Sequence, residues 1–319
     1  VNNLILVAKK DKRILITGAS GFVGKRLISF FVNNNYSQIY AISRDLHNEK
    51  QKKDNVSYIS CDLEDSEQIS CLLTEIRPHY IYHLAADTRP SRELKDLHSM
   101  IQSNIMGTTN LLSSIVKVSL NIECVILAGT CEEYGLNNQP FDENMVVSPI
   151  SMYSGTKAAA NAITKMFHNL FQVPIVIVRP SLIYGPGQSE RFFIPQAIGK
   201  LLNHQDFHMT LGEQTRDFIY IDDVVEGLVR ISECKTLIGE TVNLAYGSSY
   251  SLKKIVDKLF SFVNSNSKVY YGSVPYRPSE IMSFDVSNQK LFTHTGWKPQ
   301  ITIEEGIDKT VAYSKGESF

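Results

Sequence analysis

The sequence predicts a doubly wound α/β fold, a parallel β-sheet covered by helices on both faces. Three observations carry that expectation. Short apolar runs alternate with amphipathic stretches through the first half of the chain. The runs are rich in Ile, Val and Tyr and nearly free of charge, as strands buried on both faces are. A glycine-punctuated turn joins the first run to the first amphipathic stretch. Strands are expected at 13–17, 38–43, 56–61, 80–85, 124–128 and 175–178, and helices at 22–33, 66–77, 97–118 and 152–171. Strand–helix repetition of this kind closes into a sheet with right-handed crossovers.

After Arg179 the rhythm breaks at Pro180, Gly185, Pro186 and Gly187. Helical stretches follow near 191–203, 222–234, 251–264 and 302–313, with shorter β-like pieces at 218–221, 241–244 and 269–272. The chain is therefore read as a large domain, 1–178, and a smaller α+β domain, 179–319. The strand near 241–244 is placed to return to the large sheet. Open α/β sheets bind ligands at the carboxyl ends of their strands, so chemistry is expected there, in the cleft between the two parts.

Composition narrows the function classes. The 319 residues are 43% hydrophobic, and 32 Lys and Arg against 33 Asp and Glu leave a net charge of −1. Binding to nucleic acid or an anionic membrane needs clustered positive charge, so neither is expected as a partner. The apolar run at 4–8 is too short to span a bilayer. Five cysteines, an odd number with no C-x-x-C pair, argue for a reducing cytoplasmic setting and against a disulfide framework or a metal site.

The first strand runs into Thr17-Gly18-Ala19-Ser20-Gly21-Phe22-Val23-Gly24. A pyrophosphate can lie against the free N–H groups of a helix that starts there. Gly18 permits the tight turn, Gly21 close phosphate approach, and Gly24 packing of the helix on the strand. The second strand ends in Ser43-Arg44, where an NAD site carries an acidic residue. A hydroxyl and a guanidinium suit a 2′-phosphate, so NADP(H) is favoured, with NAD(H) served by Asp45 as the alternative. Asp62 and Leu63, after the third strand, are expected at the adenine edge.

Tyr153 and Lys157 stand four residues apart, on one face of a helix. Thr130 follows the fifth strand, at the sheet edge where a nicotinamide would arrive. A neighbouring Lys⁺ and an oxidised nicotinamide favour tyrosinate, and a Thr hydroxyl can hold a substrate oxygen while hydride moves at the adjacent carbon.

Gly18-x-x-Gly21-x-x-Gly24, His83-Leu84-Ala85-Ala86, Asn104-x-x-Gly107-Thr108, Thr130 and Tyr153-x-x-x-Lys157 together resemble the extended short-chain dehydrogenase/reductases. Tyr184-Gly185-Pro186-Gly187, the run Arg216 to Asp223 and Arg277-Pro278-Ser279-Glu280 are similar to the branch that modifies nucleotide-sugars. The resemblance covers nearly the whole chain, with Leu182 where many relatives carry Asn. It implies a Rossmann-type domain over 1–178 and a nucleotide-sugar domain over 179–319. It implies Ser20, Phe22, Val23, Leu84, Ala85, Ala86, Asn104, Tyr153 and Lys157 as further cofactor contacts. It also implies Arg216, Arg277 and Glu280 as binders of the nucleotide diphosphate sugar. For Arg216 the other reading is an ion pair with Asp217 or Asp222. The resemblance further implies a homodimer, formed by helices 97–118 and 152–171 pairing with their copies through Leu97, Ile101, Ile105, Leu111, Leu112, Ile115, Ala159, Ile163, Met166, Phe167 and Leu170. The plain reading of these stripes is that they face the sheet.

The reaction is expected to turn on Thr130-Cys131-Glu132-Glu133. A 4,6-dehydratase usually has an acid–base pair after the Thr, and Cys131 is a poor acid although Glu132 remains. Glu133 is expected to be a solvated loop charge. The stretch is most similar to 4-ketoreductases, which consume the NADPH that Ser43-Arg44 would select. NADPH-dependent reduction of a nucleotide-bound 4-keto-6-deoxyhexose is thus the first expectation. An NAD-dependent 4-epimerase, a 4,6-dehydratase and a non-catalytic nucleotide sensor follow in that order.

Overall fold

The computed structural model describes residues 10–44, 55–89 and 93–317; the run at 4–8 and Asp45 lie outside them. Cα packing divides the chain into two compact units, one formed by 1–133, 149–179 and 228–242, the other by 134–148, 180–227 and 243–319.

The first unit is built on β1 (Ile14–Thr17), β2 (Ile39–Ser43), β3 (Val56–Ser60), β4 (Tyr80–His83), β5 (Cys124–Ala128) and β6 (Ile175–Pro180). With β10 (Thr241–Leu244) they form one seven-stranded sheet in the order β10-β6-β5-β4-β1-β2-β3. The ladders of β1 with β2 and β4, and of β5 with β4 and β6, are parallel. β1 and β4 are buried on both faces, which is why their sequences are continuous apolar runs rather than alternating ones. Leu15, Ile81, Val125, Leu127 and Ile177 meet Leu73, Leu111, Leu112, Ile115 and Phe167 from the covering helices in one core.

Those helices are α1 (Phe22–Asn33), α2 (Ser66–Ile76), α3 (Leu97–Met100), α4 (Gly107–Val118) and α5 (Met152–Phe171). Asp65 caps α2, accepting from the amides of Glu67 and Gln68. Ser151 and Ser154 form a capping box that starts α5, putting Tyr153 in its first turn. The helix expected over 97–118 is not one α-helix: α3 and α4 are joined by a π-helical turn, Ile101–Met106, in which the Gly107 amide reaches the Gln102 carbonyl. Thr108 and Thr109 donate their hydroxyls to the carbonyls of Asn104 and Ile105 in this widened turn. Such back-bonding competes with the regular helical ladder.

The apolar stripes expected to form a dimer seam divide in two. Leu111, Leu112, Ile115 and Phe167 lie in the chain's own core, so for them the sheet-facing reading is correct. Met166 and Leu170 are exposed.

The second unit carries β7 (Leu182–Tyr184), β8 (Phe207–Met209), β9 (Thr215–Tyr220), β11 (Ser249–Ser251) and β12 (Val269–Tyr271). They form a three-stranded sheet, β11-β9-β7, and a two-stranded one, β12-β8. Its helices are α6 (Phe193–Leu202), the first part of α7 (Ile221–Glu233), α8 (Leu252–Phe262), α9 (Gln289–Thr295) and α10 (Ile303–Ser314). Among the described residues no helix is long and apolar enough to cross a membrane.

Candidate active site

The residues singled out in the first unit gather at the carboxyl ends of neighbouring strands. The glycine turn follows β1, Ser43 and Arg44 end β2, Asp62 and Leu63 follow β3, Leu84 to Ala86 follow β4, and Thr130 follows β5.

The glycine turn has a geometry that side chains would spoil. Gly18 sits at φ +67°, and a Cβ there would lie 2.7 Å from the Ala85 nitrogen. A Cβ on Gly24 would fall 2.3 Å from the Gly18 carbonyl oxygen, so Gly24 lets α1 pack on the turn itself rather than on β1. No side chain caps α1, and its first turn holds no acidic residue. Its leading amides, with Ser20 and Gly21 exposed beside them, suit an anionic pyrophosphate. The residues present therefore fit a dinucleotide.

Around that turn the expected contacts differ in availability. Arg44 is exposed, but the Ser43 hydroxyl is engaged with Ser20 Oγ at 2.6 Å. Asp62 accepts from the Glu64 amide, and the Leu63 carbonyl accepts from Asn110. Phe22, Val23 and Leu84 to Ala86 are half-buried. Asn104, expected as a cofactor contact, is engaged within the chain. It is wholly buried; its Oδ1 accepts from the Asp87 amide at 2.7 Å, and its Nδ2 donates to the Asp87 carbonyl and to Thr156 Oγ1. The widened turn aims it inward, tying the segment after β4 to the helix that carries Tyr153.

His83 forms a second buried connection. Thr108 donates its hydroxyl to the Asn104 carbonyl and so accepts from His83 Nε2, leaving Nδ1 to accept from Thr17 Oγ1 at 2.8 Å. Burial, and then the charge of Lys157, lower the pKa of this imidazole to about 3. It is neutral across the physiological range.

Thr130, Tyr153 and Lys157 come together as expected from spacing. Thr130 and Lys157 are buried and Tyr153 half-buried, with the Thr130 side chain beside the Tyr153 hydroxyl. Burial, then the carboxylates of Glu132 and Glu133, push the Tyr153 hydroxyl above its usual range, while the Thr130 side chain works the other way. Burial lowers Lys157 to about 8, opposed by Glu133. Sequence reasoning set only a cation beside the tyrosine; the chain also supplies two carboxylates of opposite effect.

Glu133 is a correction. Rather than a solvated loop charge it is fully buried. It accepts from the Thr130 amide at 2.9 Å, from Asn161 Nδ2 at 2.7 and 2.8 Å, and from Arg179 Nε at 2.9 Å. Cys131 is buried too and donates to the Arg179 carbonyl at 3.1 Å. Of the three residues after Thr130, only Glu132 is partly exposed.

In the second unit Arg216, on β9, is ion-paired with Glu280 and donates to the carbonyls of Thr215 and Ile281. Its neighbour Asp217 is buried and accepts from Ser181 Oγ at 2.6 Å and from the amides of Tyr246 and Gly247. Burial raises that carboxyl to about 6 against those three bonds. Arg277 is exposed, one turn before Glu280.

The chain is similar to known proteins over nearly its whole length. The chain is 28% identical over 314 residues to a UDP-glucuronate 4-epimerase of Thermodesulfobacterium geofontis, covering 94% of this chain and 95% of that one. It is 29% identical over 324 residues to the dTDP-D-glucose 4,6-dehydratase of Bos taurus, covering 97% and 90%. The structure of UDP-glucuronic acid 4-epimerase from Bacillus cereus, in complex with UDP-glucuronic acid and NAD, superposes with a TM-score of 0.88 at 26% identity, covering 95% and 99%. Residues 15–310 match the GDP-mannose 4,6 dehydratase family. The chain belongs to that family, and is an enzyme of the nucleotide-sugar-modifying branch of the extended short-chain dehydrogenase/reductases.

Proposed function

We propose that the chain is an NAD-dependent 4-epimerase of a nucleotide-diphosphate hexose, with Tyr153, Lys157 and Thr130 as its catalytic residues. The glycine turn from Gly18 to Gly24, Ser43, Arg44, Asp62, Leu63 and Leu84 to Ala86 would hold the cofactor. When bound, NAD supplies the acceptor and later the donor of the C4 hydride. Tyr153 takes the proton of the C4 hydroxyl and returns it to the same oxygen after the sugar has turned its other face. Thr130, beside Tyr153, holds that oxygen, and Lys157 as a cation stabilises the tyrosinate. Arg216 and Arg277 would grip the diphosphate, with Arg216 exchanging Glu280 for phosphate in a charge-assisted contact.

The observation that carries the choice is Cys131. Eliminating water across C5 and C6 needs an acid and a base on one edge of the sugar. The Cys131 thiol is buried and spent on the Arg179 carbonyl, and Glu133 is held by Arg179 and Asn161. Epimerisation needs neither. A 4,6-dehydratase is the second reading, favoured by the half-exposed carboxylate of Glu132. The expected NADP(H) preference, and with it the ketoreductase, has less support. Ser43 is engaged with Ser20, and the Bacillus cereus relative is a complex with NAD.

Purified protein given NAD⁺ and a nucleotide-hexose is expected to yield the C4 epimer with no net change in NADH absorbance. Tyr153→Phe should slow it by about 10²-fold or more. Net consumption of NADPH on a 4-keto substrate would reinstate the reductase, and a 4-keto-6-deoxy product would establish the dehydratase.

A further inference from the structure

We propose that the buried Glu133–Arg179 ion pair, braced by Asn161, is a positioning device that fixes the Thr130 main chain and holds a carboxylate against the stripe of α5 that carries Tyr153 and Lys157. The inference rests on the reading of Thr130, Tyr153 and Lys157 as the catalytic group.

Two features show that the chain is built around the pair. Arg179 places both Nε and a terminal nitrogen 2.9 Å from Glu133 Oε2, and its side chain is only 7% exposed. Gly129 leaves room for it, since a Cβ there would stand 2.7 Å from Glu133 Oε1 and 2.9 Å from Asn161 Nδ2. A buried ion pair is poor value as a stabiliser, because apolar side chains of similar volume do as well or better. Its presence therefore calls for a task that depends on charge.

The geometry supplies one. Tyr153, Lys157 and Asn161 recur every four residues and so share one stripe of α5. Asn161 gives both its donor contacts to the Glu133 carboxylate, and its own Oδ1 is buried with no hydrogen-bond partner among the described residues. The amide is oriented for the carboxylate at the cost of its acceptor. Glu133 also receives the Thr130 amide, while Thr130 Oγ1 accepts from the Glu132 amide at 3.2 Å. The hydroxyl that meets Tyr153 is thus fixed from beneath.

Charged and titratable groups surround Lys157 and Tyr153 on several sides. Glu132 and Glu133 come from the turn after β5, Arg179 from β6, and neutral His83 from β4. Burial drives Lys157 towards its neutral form, and Glu133 is the carboxylate that opposes this. Without that charge Lys157 loses its proton at lower pH, and Tyr153 ionises more readily.

The test is Glu133→Gln, read by NMR of protein labelled with [15N]lysine, with Lys157 assigned by the signal missing from Lys157→Met. No substrate is needed, so the result stands whichever reaction the enzyme runs. The Lys157 midpoint is expected to fall by about half a unit or more, and the alkaline limb of the kcat profile to move down with it. A midpoint within about 0.2 units of the unaltered protein would overturn the proposal, whatever happened to turnover. If the single variant does not fold, Glu133→Gln with Arg179→Met must lower the Lys157 midpoint relative to Arg179→Met alone, or the proposal fails. Lack of turnover by the unaltered protein would count against the proposed function alone.

Discussion

Replacing Gly24 with Ala tests the glycine turn at its tightest point. The new methyl would lie 2.3 Å from the Gly18 carbonyl oxygen, 2.9 Å from Ala19 Cα and 3.0 Å from the Gly18 carbonyl carbon. All three are backbone atoms, so no rotamer change relieves the overlap. Ordinary contact begins near 3.4 Å, and the start of α1 must therefore retreat from the turn by about 1 Å. Overpacking of this kind costs about 1–3 kcal/mol, but Ala is about 1 kcal/mol better than Gly inside a helix. The two oppose each other, and the net loss of stability is expected to be small, about 0–2 kcal/mol. The cofactor feels the displacement more sharply. A lost hydrogen bond from the helix start to a charged phosphate is worth about 1.5–3 kcal/mol, or roughly 10- to 150-fold in Kd. Calorimetric titration with NAD⁺ should show that loss, while urea unfolding of the same sample changes little. A folded Gly24→Ala variant that binds NAD⁺ within about twofold of the unaltered protein would refute the reasoning, because it would detach α1 from the pyrophosphate.

Two further outcomes can be checked. His83 has a folded pKa of about 3 against an ordinary 6.5. The unfolded chain therefore binds the extra proton first, and stability should fall as pH drops from about 6.5 towards 3; His83→Asn should flatten that part of a urea-unfolding pH series. Met166 and Leu170 are 43% and 66% exposed on α5, so if they cover a second copy of the chain, Met166→Asp with Leu170→Asp should turn a sedimenting dimer into a monomer; a monomer already present at micromolar concentration would sink the dimer.

Much of the fold was legible because its signals are local. Helices Phe22–Asn33 and Met152–Phe171 begin and end where periodicity and punctuation put them, and six strands of the large sheet follow from apolar runs alone. The strands Leu182–Tyr184, Phe207–Met209 and Ser249–Ser251 were not read from the sequence, although Val269–Tyr271, equally short, was. The seven-residue helix Gln289–Thr295 was also missed: it buries only Leu291 and leaves Phe292 exposed. The π-helical turn depends on Asn104 finding Asp87, 17 residues away, and Thr156, 52 residues away. No window of sequence contains those partners.

The site divides along the same line, and Glu132 and Glu133 show why. Residue type and spacing picked out Thr130, Tyr153 and Lys157 as candidates, because both are read directly from the sequence. Environment is not. Two consecutive glutamates in a 3-10 turn, Cys131–Tyr134, point about 120° apart, so one can be half-exposed while the other is fully buried. Which is which follows from Asn161, 28 residues on, and Arg179, 46 residues on. Arg179 was read only as the residue before the breaking Pro180, and Asn161 was not singled out. Placed against one another, they turn a charge expected in solvent into the carboxylate that acts on both Tyr153 and Lys157. A sequence signal did exist. Asn161 continues the four-residue stripe from Tyr153 through Lys157, and a polar residue on the buried face of a helix calls for a buried partner. The two carboxylates after Thr130 were the candidates for that partner, and the fold assigns Glu133 to it.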